Sequence, residues 1–345
     1  MPSSLPVLDF ARLGQPSERE GFLEELRETA RGLGFFYLTG HGIEPGLIAD
    51  VLALSRRFFD LPEKDKLEIQ MIKSPQFRGY NRAGLEHTRG RPDWREQVDI
   101  GPEQEVRALD RTAPAWTRLI GPNLWPSALP ELKPALLRYQ AEVTALGIRI
   151  TEALAESLGQ RPDVFSPIYT PAPNQLLKII RYPGRRPEDG DQGVGAHKDS
   201  GFVTVLLQDK VSGLEVEGED GWIKAPPIPG TFVINVGELL ELASGGYLRA
   251  NVHRVVSPPE SADRLSVAFF LGARLDSSVP VLALPPALAA QVRGVTQDPQ
   301  NPLFRDVAKN YLKSRLRSHP DVARAHHADL LDPADRARPV PASAY

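Results

Sequence analysis

The stretch GAHKDSG, residues 195–201, sets an imidazole and a carboxylate two positions apart with small residues around them. On a strand, side chains at i and i+2 point to one face, so His197 and Asp199 share a space while Lys198 points away. Such a pair can begin a metal site, a catalytic dyad, or nothing. The chain has only seven histidines, and His253 also falls in a short strand-like run of the same region. Two imidazoles and one carboxylate on one face of a metal make a facial triad, which leaves three positions open and suits Fe(II). The expected ligands are His197, Asp199 and His253.

Eleven residues after His253 comes Arg264, with Ser266 two further on and so on the same strand face. An arginine turned into a barrel interior is costly unless an anion meets it. Its guanidinium fork fits a carboxylate in bidentate fashion, and the serine hydroxyl adds one donor. Tyr182, in IIRYPG, is placed to give that carboxylate a third hydrogen bond. Counting on by two brings Ala268 and Phe270 to the same face, so Phe270 is expected to wall a pocket beyond the metal.

The elements that must hold these groups are legible from periodicity. Residues 17–33, 44–58 and 61–71 read as helices, the first ending on Gly34, and GFFYLTGHG between them reads as a short aromatic strand. Residues 73–101 read as irregular, their arginines forming a solvated loop or a rim that selects an anionic substrate. A long helical pattern runs from about 132 to 158 and a final one over roughly 302–317. From about Gln175 the runs QLLKIIRY, FVTVLLQD, GLEVEG, GWIKAP, TFVINV, VHRVVS and RLSVAFFLGA are β-type, with an Asp–Gly hairpin turn in GEDGW. Seven or eight short strands with one brief helix, GELLELASGG, predict a sandwich or small barrel. His41 in its GHG turn reads as structural, His87 as a loop residue, and His326 and His327 as a solvated pair at a helix end.

Composition narrows the class. With 345 residues, 41% hydrophobic and 25% charged, the chain has ample material for a buried core. A net charge of −3 offers no field for nucleic acid or an anionic membrane. The absence of cysteine excludes disulfides, thiolate metal sites and a cysteine nucleophile. GVGAHK nearly spells a dinucleotide-binding fingerprint, but Lys198 occupies the third glycine position. No secretory leader and no membrane-spanning run is legible, so a cytoplasmic protein, most simply a monomer with a small-molecule substrate, is expected.

Taken in order, LPVLDF, GFFYLTGHGI, FRGY, IIRYPG, GAHKDSGFVTVLLQD, the run from GLEVEG to NVHRV, and DRLSVAFF resemble the isopenicillin N synthase-like branch of the Fe(II)/2-oxoglutarate-dependent dioxygenases. That resemblance implies an α+β fold: a double-stranded β-helix (jelly roll) core wrapped by N-terminal and central helices. Its parts would be an N-terminal mixed region (1–101), helical support (102–174), a catalytic core (175–280) and a C-terminal helix and tail (281–345), together one structural unit. It implies Fe(II) on His197, Asp199 and His253, and 2-oxoglutarate held by Arg264, Ser266 and Tyr182. It also implies dioxygen as the oxidant, succinate and carbon dioxide as products, and oxidation of a substrate C–H bond. The FRGY segment would fold over the pocket mouth, bringing Phe77 and Arg78 to the substrate. Ile180 stands where many members carry asparagine, and IIRYP looks more like isopenicillin N synthase itself, which uses no 2-oxoglutarate. An oxidase of that type is therefore one alternative. A non-catalytic binding protein on the same fold is the other, though it would have no need of iron ligands.

Overall fold

The spacing of Phe22, Leu26 and Ala30 closes the helix Arg19–Gly32 over a buried stripe. It stops at Gly34, whose φ of +73° suits glycine and whose missing side chain leaves room for the Arg249 carbonyl. The helix Pro45–Phe59 opens on proline, where no backbone donor is lost, and buries Leu47, Val51, Phe58 and Phe59. The longest helix, Leu132–Ser157, buries Leu136, Tyr139, Val143, Leu146, Ile150 and Leu154 and packs against both. The computed structural model describes residues 4–106, 112–296, 298–299 and 301–337.

Fourteen strands are formed among the described residues. In the first third these are β1 (Val7–Asp9), β2 (Phe35–Thr39), β3 (Gly79–Asn81), β4 (His87–Thr88), β5 (Arg91–Pro92) and β6 (Glu96–Ile100). The remainder are β7 (Gln175–Tyr182), β8 (Gln192–His197), β9 (Val203–Gln208), β10 (Leu214–Gly218), β11 (Gly221–Lys224), β12 (Phe232–Val236), β13 (His253–Val256) and β14 (Arg264–Leu271). A major sheet runs β1-β2-β12-β9-β14-β7-β6-β3 and a minor sheet β11-β10-β13-β8, while β4 and β5 form a separate hairpin. This is a jelly roll with helices on its outside. Strands from residues 7–100 and from residues 175–271 share the major sheet, so the N-terminal and core segments are built into one layer. None of the described helices is long and apolar enough to cross a membrane.

Three expectations need correction. The helix expected over 61–71 is a single turn, Glu63–Lys66, followed by two 3-10 turns, because Gln70 is extended and bridges to Tyr80. The segment 73–101 is not irregular: it supplies β3 to β6, and β6 is buried along its whole length. Its polar residues Glu96, Gln97 and Asp99 hid the strand, since each finds a partner inside the protein. The last long helix is Val307–Ser318, beginning later than expected where the Asp306 side chain accepts from Lys309 N at 2.8 Å.

Candidate metal centre and binding cavity

The metal-ligand candidates come from the minor sheet but are anchored by the major one. His197 ends β8 and His253 begins β13, and the two are register partners across that pair. Asp199 is not on the strand, as the i, i+2 pattern would have it. It lies just beyond β8, where the chain crosses towards β9 of the major sheet. The crossing gives the carboxylate its anchors: Asp199 Oδ2 accepts from Thr204 Oγ1 at 2.6 Å and from Asn235 Nδ2 at 2.9 Å. Thr204 and Asn235 are themselves paired across β9 and β12.

This leaves Oδ1 facing the imidazoles, 3.5 Å from His197 Nε2 and 3.7 Å from His253 Nε2. On each ring the other nitrogen lies against a backbone carbonyl, His197 Nδ1 at 2.8 Å from Gly195 O and His253 Nδ1 at 3.3 Å from Asn251 O. The Nδ1 protons are donated there, so both Nε2 lone pairs point to the centre. The three residues place one ligand atom each within 4.8 Å of one another, a donor set that fits Fe(II). Burial pushes His253 down to about 4, aided by the His197 ring, so it is neutral and able to ligate at ordinary pH. Burial alone would raise the Asp199 carboxyl, but His253, His197 and the Thr204 hydroxyl outweigh it and hold the group ionised. Neither Thr204 nor Asn235 was singled out from the sequence; a polar residue amid FVINV and another amid VTVLL were the available signals. Asn235→Ala is expected to weaken metal binding roughly 10–100-fold while the triad stays intact, as removal of a carboxylate's orienting partner does. Anaerobic Co(II) titration of the variant checks this.

Small residues do clear space here. A Cβ on Gly195 would come within 2.9 Å of Thr88 Cγ2, so glycine lets the β4–β5 hairpin close on the candidate metal site. His87, expected in a loop, sits in that hairpin and lines the cavity beside it.

The candidate carboxylate clamp lies on two neighbouring strands. Arg264, Ser266 and Tyr182 are all buried on β14 and β7, with Arg264 and Tyr182 in register and the guanidinium 5.0 Å from the tyrosine ring. Arg264 Nη2 donates to Gln208 Oε1 at 2.9 Å, but its Nε and Nη1 and the Ser266 hydroxyl have no hydrogen-bond partner among the described residues. Burial lowers the guanidinium from its ordinary value, with Tyr182 and Asp209 opposing. Unmet donors on a buried cation fit the far carboxylate of 2-oxoglutarate.

A cavity of about 740 Å³ opens beside His197 and Asp199. Phe270 and Leu176 line it, together with Glu86, Arg95 and Lys178. Phe77 and Arg78 do not. Phe77 is fully buried in a cluster with Met71, Leu119 and Val322, its ring stacked 5.0 Å from His327. Arg78 is buried one layer back, its Nη1 3.5 Å from the hydroxyl of Tyr311, which does line the cavity. Both were expected at the mouth; apolar packing under the C-terminal helices draws the segment inward instead. The same packing buries His327, whose Nε2 donates to Pro75 O at 2.8 Å, whereas only His326 is solvated. His41 is structural: its Nδ1 accepts from Ile43 N at 3.1 Å, and its ring packs on Phe232.

Comparison with known proteins agrees with this geometry. Residues 5–128 match the family described as non-haem dioxygenase in morphine synthesis N-terminal, and residues 173–273 match the 2OG-Fe(II) oxygenase superfamily. The 2-oxoglutarate-dependent dioxygenase frbJ of Dothideomycetidae sp. (strain 11243) is 36% identical over 336 residues, covering 92% of this chain and 90% of the relative. Homoarginine-6-hydroxylase 2-ODD-C23 of Glycine max is 35% identical over 294 residues, covering 80% and 88%. A full-length Neurospora crassa protein, solved in complex with alpha-KG (2-oxoglutarate) and 5-formyluracil, matches with a TM-score of 0.72 at 26% identity, covering 91% of this chain and 96% of that one. The first of these depends on 2-oxoglutarate and the last binds it, so the oxidase that Ile180 left open is not the activity they support. The chain belongs to the Fe(II)/2-oxoglutarate-dependent dioxygenases.

Proposed function

We propose that this dioxygenase oxidises a C–H bond of a small organic substrate that carries an anionic group. His197, Asp199 and His253 hold Fe(II), and Arg264, Ser266 and Tyr182 clamp the far carboxylate of 2-oxoglutarate. With dioxygen, the bound iron and cosubstrate supply the oxidant that takes hydrogen from the substrate, while 2-oxoglutarate is converted to succinate and carbon dioxide. The protein's own part is to fix the ligand nitrogens, fill the clamp and keep water from the substrate side.

The observation that carries the substrate class is the lining of the cavity next to the triad. Seven of its side chains are Lys or Arg against four Asp or Glu, and Asp199 belongs to the metal. A homoarginine hydroxylase among the relatives acts, by its name, on an amino acid, a class that bears a carboxylate. Every group invoked comes from one chain, so a monomer suffices. Phe270 then serves as an apolar wall for the substrate body. Phe270→Ala is expected to keep iron and 2-oxoglutarate binding but to form succinate without matching substrate oxidation. The check is a ratio of succinate to oxidised product across a panel of small acids. Intact coupling with a melting temperature lowered by many degrees would instead make Phe270 plain core. A panel in which only neutral compounds are oxidised would refute the substrate class.

A further inference from the structure

The helix Val307–Ser318 turns one face to the cavity, with Val307, Asn310, Tyr311, Ser314, Arg315 and Ser318 recurring at three- and four-residue spacing in its lining. Arg315 is only 4% exposed. Its Nη1 donates to Asp99 Oδ2 at 2.8 Å and to His319 Nε2 at 3.0 Å, and the guanidinium faces Tyr311, 5.4 Å from its ring centre, while Nε and Nη2 have no hydrogen-bond partner within the geometric limits among the described residues. Asp99 also faces Lys178 at 3.5 Å, Lys178 bonds Glu86 at 3.0 Å, and Arg95 bonds Glu86 at 2.7 Å with Asp93 at 3.6 Å. Arg78 joins the cluster through Tyr311 and has no ion-pair partner among the described residues.

Among the described residues, three buried cations (Arg78, Lys178 and Arg315) and the largely covered Arg95 thus meet three buried carboxylates (Asp93, Glu86 and Asp99). His319 adds no charge, since burial pushes it down to about 3. Uncompensated buried charge is unfavourable, and an anion entering from the cavity would balance it. Tyr311 reports the same positive field. Burial should raise its hydroxyl, yet Arg315 and Arg78 bring it down to about 8.

We propose that the anionic group of the primary substrate is a carboxylate that docks on Arg315, with the Tyr311 hydroxyl as a second donor and Arg78 positioning that hydroxyl. This deepens the reading of the cavity as the substrate site and rests on it. Arg315 is then a specificity-determining residue, and the iron and 2-oxoglutarate groups are untouched by its loss.

The test is anaerobic calorimetry on the full-length protein loaded with Mn(II) and 2-oxoglutarate. The probes are phenylacetate, hexanoate and indole-3-acetate, each beside its primary amide. The wild type is expected to bind acids tenfold or more tighter than their amides. Arg315→Gln should abolish that preference, with a loss of roughly 30-fold or more for the acids. If Arg315→Gln fails to fold, Tyr311→Phe takes its place and should lower acid affinity severalfold. Equal binding of acids and amides, no acid binding to the wild type, or an undiminished preference in the folded variant overturns the proposal. The visible band of 2-oxoglutarate chelation on Fe(II) is measured alongside in each protein. Its absence from the wild type would strike the dioxygenase reading instead, so the two failures are told apart.

Discussion

Asp199→Ala is expected to abolish turnover and to weaken Fe(II) binding by more than about 100-fold. The loss should exceed the roughly 10–100-fold that an orienting partner of a ligand is worth, because here the ligand itself goes. The geometry gives the reason. Among the described residues, Asp199 Oδ1 is the one anionic donor facing the two Nε2 atoms, and Oδ2 is held by Thr204 and Asn235, so no rotation of a neighbour replaces it. The substitution also leaves the Thr204 and Asn235 donors without their acceptor, which costs about 1–3 kcal/mol each if water does not enter. His197→Ala and His253→Ala should fall in the same class. Anaerobic titration with Fe(II), followed by succinate release in air, reads both effects. An Asp199→Ala protein that oxidised substrate at the wild-type rate would end the assignment of the triad.

Arg264→Ala should raise the apparent KM for 2-oxoglutarate by roughly 30-fold to several thousand-fold, since truncating one partner of a buried charge pair costs about 2–5 kcal/mol. Metal affinity in the absence of the cosubstrate should change little, because Arg264 touches no ligand of the triad. A second consequence follows from the unmet Nε and Nη1 atoms. Without 2-oxoglutarate, the protein carries a buried guanidinium that no carboxylate among the described residues meets at ion-pair distance, Asp209 acting on it from further off. Arg264→Met should therefore leave the melting temperature of the cosubstrate-free protein unchanged or raise it, and erase the stabilisation that 2-oxoglutarate gives the wild type. Thermal melts with and without 2-oxoglutarate decide this. A variant still stabilised as strongly as the wild type would move the clamp elsewhere.

Much of the fold was legible because its periodicities were clean. The runs that became β7, β9, β12 and β14 are apolar and β-branched, and the long helix Leu132–Ser157 repeats its apolar positions over its whole length. Legibility failed where polar residues are buried. Glu96-Gln-Val-Asp99-Ile100 reads as a loop, yet it is a strand buried on both faces, its carboxylates met by Lys66, Lys178 and Arg315 from distant parts of the chain. Phe77 and Arg78 were misplaced for a related reason. Strand counting says nothing about a segment whose position is set by helices more than 200 residues away.

The sequence by itself determined the chemistry: which side chains could ligate iron, which could clamp a carboxylate, and that β-strands would carry most of them. Those properties are local, fixed by residue type and by the two-residue period of a strand. The tertiary structure decided what surrounds them. It selected Thr204 and Asn235 as the anchors of Asp199, because only the crossing from the minor to the major sheet brings them together. It gathered Glu86, Lys178, Asp99 and Arg315 into one ion-pair network from four separate parts of the chain, three of them lining the cavity. Charges so far apart in sequence meet only when burial makes each of them require a partner, and no local pattern encodes which partner that is.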